Sequence, residues 1–138
     1  MARVRYIHMG AWPIYVGFTT CSLAFAREMR RLQIADEPPF LQRDTAQATT
    51  HLFMRQDGSK VCIITALPQP SGVSNEQYAA LIAHEALHVV QYVREAVNCG
   101  NPLGDETESY MIQHILMECL SLAWNTGRTV SVVPKSLT

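Results

Sequence analysis

The sequence predicts an α+β fold: a short, mostly antiparallel sheet packed on a long helix, with one helix before it and one after it. Two observations carry this expectation. Strand-like runs rich in Val, Ile, Tyr, Phe and Thr lie in the first half of the chain, and two long segments with helical spacing of apolar residues fill the second half. Each of those segments also opens on a capping-box pattern. A chain of 138 residues, 48% of them apolar, can bury one hydrophobic core, so residues 1–138 are read as a single domain.

Residues 4–18, broken by Gly10, Pro13 and Gly17, read as one or two short strands with a bend. Ser22 can cap a helix that runs to about Ala35, because Phe25, Met29 and Leu32 recur at helical spacing with Arg27, Arg30 and Arg31 on other faces. Asp36-Glu37-Pro38-Pro39 ends it. Residues 51–54 and 61–66 are strand-like and flank Asp57-Gly58, a hairpin turn signal. Ser74 with Gln77 opens a helix over 75–97, and Gly100 suits its C-terminus. Asp105 with Glu108 forms a second capping-box pattern, opening a helix to about Trp124. The tail after Gly127 reads as a short strand or a loose end.

The formal net charge of −1 gives no reason to expect a nucleic-acid partner. No stretch is long and apolar enough to span a membrane. Arg3 and Arg5 before the apolar run 11–26, which ends in Ala24-Phe25-Ala26, mimic a secretory signal. Pro13, Thr19 and Thr20 interrupt that run, and its pattern continues into a helix, so a cytoplasmic protein is expected. Cys21, Cys62, Cys99 and Cys119 are scattered and form no C-x-x-C pair, which points to free thiols in a reducing compartment. Oligomeric state is not legible.

The chemistry lies in His84-Glu85-Ala86-Leu87-His88, an H-E-x-x-H motif. Residues four apart on a helix sit about 40° apart around its axis and one turn apart along it, so both imidazoles can reach one ion. Glu85 lies about 100° from His84, beside the metal, where a base for an activated water belongs. In helical projection Ala79, Ile82, Ala83, Ala86, Val89, Val90, Val93 and Val97 share one broad apolar face. Gln77, His84, His88, Gln91 and Glu95 form a narrow polar stripe opposite, which places the histidines on a cleft rather than in a core.

A catalytic zinc takes three protein ligands and keeps one open position. On the last predicted helix Met111, Ile112, Ile115, Cys119 and Leu122 share a face, and Glu108 heads it. An inward carboxylate is costly unless something compensates it, and a metal would. Glu108 is therefore the expected third ligand, with Glu106 as runner-up. Its other reading is the capping-box partner of the Asp105 amide. His114 and Glu118 project away from the apolar stripe, and His8 and His51 lie outside this unit.

These features together resemble the gluzincin zinc metallopeptidases, in which a glutamate from the helix after H-E-x-x-H completes the metal site. Glu108 follows His88 by twenty positions, a spacing similar to that of thermolysin-like members, and the small size resembles the minimal gluzincins. His84 to Gln91 and Glu108 to Gln113 also resemble small metallopeptidases encoded by bacteriophages and prophages. The resemblance implies a zincin-like fold, one zinc ion, a peptide or protein substrate, and a host-cytoplasmic location if the chain is phage-encoded. The thermolysin pattern has Asn before the ligand glutamate and Asp four positions after it. Here Thr107 and Ile112 stand there, so another group must orient a histidine. Glu95 and Asp105 are candidates for that.

The activity expected is zinc-dependent hydrolysis of peptide bonds with Glu85 as base. Tyr92, Tyr110 and His114 are candidates to stabilise the oxyanion, and strand 61–66 is a candidate to pair with substrate backbone. The alternative is a phage assembly or host-interaction protein that has the zinc site but no free proteolytic activity. A metal-free helical binding module is a further reading.

Overall fold

The computed structural model describes residues 2–125. The predicted tail after Gly127 lies outside the described residues. The elements run β1 (Arg5–Ile7), β2 (Tyr15–Thr19), α1 (Ser22–Arg31), β3 (Ala48–Met54), β4 (Lys60–Ala66), α2 (Asn75–Asn98) and α3 (Asp105–Trp124). The class is α+β, as the sequence indicates, with a four-stranded mixed sheet ordered β1-β2-β4-β3.

β4 is the centre of the sheet. It pairs parallel with β2, through Val16↔Cys62 and Phe18↔Ile64, and antiparallel with β3, through Thr50↔Ile64. Residues 61–66 are all buried, the pattern of a strand covered on both faces. Alternate side chains serve two cores. Val61 and Ile63 face the α1 side with Tyr6, Phe25 and Met29. Cys62, Ile64 and Ala66 face the α2 and α3 side with Ile82, Ala86, Val89, Val90 and Ile115. The sheet thus lies between α1 on one face and the α2–α3 pair on the other.

The hairpin forms where the sequence placed it, with β3 extended back to Ala48. Gly58 takes φ 85° in the turn, and Asp57 Oδ1 accepts from the Ser59 amide at 2.9 Å. The start of α1 departs from expectation by one residue. Cys21 is the N-cap, with no side-chain cap bond, and Ser22 is the first helical residue. Thr19 Oγ1 accepts from the Cys21 amide at 3.1 Å, closing the bend at Thr20 between β2 and α1.

α1 also ends early, at Arg31 rather than near Ala35. Gln33 turns left-handed at φ 59°, donating its N–H to Arg30 O at 3.1 Å while Ile34 N–H reaches Met29 O at 3.0 Å. This is a Schellman closure, and it brings Ile34 onto the core beside α1.

α2 begins as expected. Ser74 Oγ accepts from the Gln77 amide at 3.1 Å, and Gln77 Oε1 accepts from the Ser74 amide at 2.9 Å. It ends at Cys99 and Gly100, with Gly100 at φ 87° donating to Arg94 O. The capping box expected at Asp105 and Glu108 does not form. Gly104 is the N-cap and has no side-chain oxygen to offer, and Asp105 is already helical.

All four cysteines are free thiols, with Cys62 and Cys119 buried. Among the described residues no helix is long and apolar enough to cross a membrane.

The α2 face that meets the sheet and α3 carries the packing. Ile82, Ala86, Val89, Val90 and Val93 are each 0% exposed. Ile82→Ala is expected to cost about 2–5 kcal/mol, the usual cost of truncating a fully buried aliphatic side chain. Urea denaturation checks this, and a loss under about 1 kcal/mol would show that the site collapses around the truncation.

Candidate metal and hydrolytic centre

The polar stripe of α2 lies where the projection put it. His84, Gln91 and Glu95 are exposed and His88 is half-buried. The two imidazoles are neighbours, with ring centroids 4.9 Å apart and planes crossing at 82°. Together with Glu85 and Tyr92 they line a cleft of about 380 Å³, whose other wall is Gln42, Arg43, Thr45 and Ala46 and the start of β3.

His88 is oriented by its own helix. Its Nδ1 lies 3.0 Å from Gln91 Oε1. An amide oxygen only accepts, so Nδ1 is the donor in this contact and Nε2 is the ring nitrogen not engaged by Gln91. The residues proposed for this duty, Glu95 and Asp105, are both exposed. Gln91 was on the predicted stripe one turn beyond His88, and that i,i+3 spacing was the available signal.

Glu85 is only 5% exposed, although its position in projection was merely beside the histidines. It is turned toward the sheet. Thr50 Oγ1 on β3 lies 2.8 Å from Glu85 Oε1 and 3.2 Å from the Glu85 carbonyl oxygen. Sequence reasoning missed Thr50, because a strand-to-helix contact between residues 35 positions apart leaves no local pattern.

Tyr92 lines the same cleft. Burial, followed by the neighbouring Cys62 and Glu85 groups, pushes its phenol above the usual range, so it is a neutral donor at physiological pH.

Several candidates lie elsewhere, as does His51, which the sequence already placed outside this unit. Tyr110, 66% exposed, lines a separate cleft with His8, Trp12 and His114. There His114 Nε2 reaches His8 O at 2.7 Å. His51 is buried beneath β3 on the α1 side, its ring 4.7 Å from that of Phe25, and burial lowers its pKa. Glu106 and Asp105 are exposed at the start of α3. Strand 61–66 lies inside the sheet, paired on both sides, so it has no free edge for a substrate; β3 is the edge strand beside the cleft.

Glu108 does point inward, and its carboxylate is compensated, but by protein groups. Arg94 on α2 forms a two-pronged ion pair with it, one prong at 2.9 Å from Arg94 Nε. The Leu103 amide donates to Oε2 at 2.7 Å. Glu108 thus ties the α2–α3 loop and the head of α3 to α2.

The two neighbouring imidazoles suit a zinc ion, and Gln91 orients that of His88. Among the described residues, however, no group of three His, Cys, Asp or Glu side chains is gathered around one point. Residues 126–138 contain none of these four residue types.

Compared with known families, with curated proteins and with solved structures, the chain has no match.

The Arg94 hydrogen bonds, then the Leu103 amide, hold the Glu108 carboxyl at about 2, down from 4.5. A carboxyl lowered on folding stabilises the fold above its unfolded value, and that contribution is lost as pH falls through the folded value. The thermal midpoint should therefore decline between about pH 4.5 and 2, with Arg94→Met declining less over that interval. Parallel pH curves for the two proteins would count against the ion pair as a source of acid sensitivity.

Proposed function

We infer that this chain is a zinc-dependent hydrolase of peptide bonds with a zincin-like arrangement, in which His84 and His88 hold the ion and Glu85 is the catalytic base. The observation that supports this most is the adjacency of the two imidazoles, 4.9 Å apart, to a buried carboxylate in one polar cleft. A solvated pair of helix histidines would not need that setting. The resemblance of H-E-x-x-H and Glu108 to the gluzincins adds to it.

A zinc ion, when bound, supplies a Lewis acid that acidifies water and polarises the scissile carbonyl. The chain's own groups do the rest. Gln91 accepts from His88 Nδ1 and so leaves Nε2 for the ion. Glu85 takes a proton from the attacking water and delivers it to the leaving amine. Tyr92, neutral and on the cleft wall, donates to the oxygen that gains negative charge. β3, the end strand of the sheet beside the cleft, is the strand proposed to pair with an extended peptide.

Glu108 is the proposed third ligand, and taking that place means exchanging Arg94 and the Leu103 amide for the ion. That existing pairing favours a second reading, which keeps a weaker two-histidine metal site without free proteolysis, in a phage-type assembly or host-interaction protein. A structural zinc would need four protein ligands, more than are gathered among the described residues.

Glu85→Gln is expected to retain zinc and lose hydrolysis of a peptide library; undiminished cleavage would remove Glu85 from the base role. Glu108→Ala is expected to lower zinc content sharply, measured by metal analysis on folded protein. Unchanged zinc would leave Glu108 as the partner of Arg94 alone. Gln91→Leu should weaken zinc binding by about 10- to 100-fold, the usual cost of losing a group that orients a metal-binding histidine. Equal affinity in competition with a chelator would show that the His88 tautomer is set by something else.

A further inference from the structure

We propose that Thr50 is a positioning residue for Glu85, fixing the plane of its carboxylate so that one oxygen is held by the sheet and the other is left toward the cleft. The inference rests on the hydrolase reading of the same site. The Thr50 hydroxyl lies 2.8 Å from Glu85 Oε1, and among the described residues Oε2 has no hydrogen-bond partner. Glu85 is 5% exposed and lines the cleft. One oxygen is thus tethered to the sheet and the other is left to take a proton. A carboxylate without that tether could rotate about its last torsion, which is broad and two-fold.

Thr50 suits this task because its strand cannot slide. Thr50 pairs with Ile64, which is 0% exposed in the central strand. Its two neighbours grip the opposite face: Thr49 Oγ1 accepts from the Gln42 amide at 2.9 Å, and His51 Nε2 lies 3.1 Å from Phe40 O. A slip of one residue would turn Thr50 away from α2 altogether. The hydroxyl has one proton, which the shorter contact to Oε1 takes in the main and the Glu85 carbonyl oxygen, at 3.2 Å, shares. The tether thus joins the edge strand to the base across the sheet–helix boundary, and its geometry follows from backbone pairing rather than from a flexible side chain.

The test compares Thr50→Val and Thr50→Ser with the parent protein, all zinc-loaded, on a peptide the parent cleaves. Val keeps the shape and the strand preference and removes the donor, and Ser keeps the donor. The expected result is a fall in kcat of up to about 100-fold in Thr50→Val, with KM and zinc content unchanged and kcat largely restored in Thr50→Ser. Parental kcat in Thr50→Val overturns the proposal, as does equal impairment in both variants, which would assign the effect to packing. Independently of activity, the carboxylate stretching band of Glu85 is read from infrared difference spectra against Glu85→Gln. It should shift in Thr50→Val and return in Thr50→Ser, and an unmoved band overturns the proposal. If the parent cleaves no peptide while the band behaves as expected, the hold of Thr50 on the carboxylate stands and the hydrolase reading alone falls.

Discussion

Burial of one face of α2 fixes where its other face can point. Ile82, Ala86, Val89, Val90 and Val93 are withdrawn completely from water against β4 and α3, and each of the Ile and Val side chains contributes about 1.5–3 kcal/mol by transfer alone. Rotating the helix far enough to bury His84 or His88 would expose several of these groups. The histidines are therefore held at the cleft by the core, although neither takes part in it.

Glu85 sits at the boundary between these two faces. Taking a carboxylate out of water costs several kcal/mol unless it is hydrogen-bonded, and Thr50 supplies that bond from the edge strand. The sheet consequently does more than support the helix. Its edge brings a hydroxyl to the one carboxylate in the motif, while the loop before it, at Gln42 and Arg43, closes the far wall of the cleft. Glu108 shows the same rule with another solution, since its inward position is satisfied by Arg94 and a backbone amide.

Much of the fold was legible because the relevant signals are local. The Ser74–Gln77 box, the Asp57-Gly58 turn and the two-faced pattern of α2 each depend on residues within a few positions of one another, and all three appear as read. The boundaries of α1 were not, because Thr19 and Gln33 set them through single hydrogen-bonded turns that hydrophobic spacing does not report. The site was legible as far as the helix that carries it. The His84–His88 pair needed only helical geometry, whereas Thr50, Arg94 and the cleft wall come from elements distant in sequence. For Glu108 the projection gave its orientation and the expectation of a partner. It could not rank a guanidinium on the neighbouring helix against a metal ion.

In the proposed site, two imidazoles from one helix hold a single zinc ion beside a buried carboxylate. X-ray absorption at the zinc edge of the zinc-loaded protein tests it most directly. The account predicts one ion per chain with two imidazole nitrogens among its light-atom neighbours at about 2.0–2.1 Å and no sulfur shell. Zinc lost on dialysis, or bound through thiolate sulfur at about 2.3 Å, would contradict it.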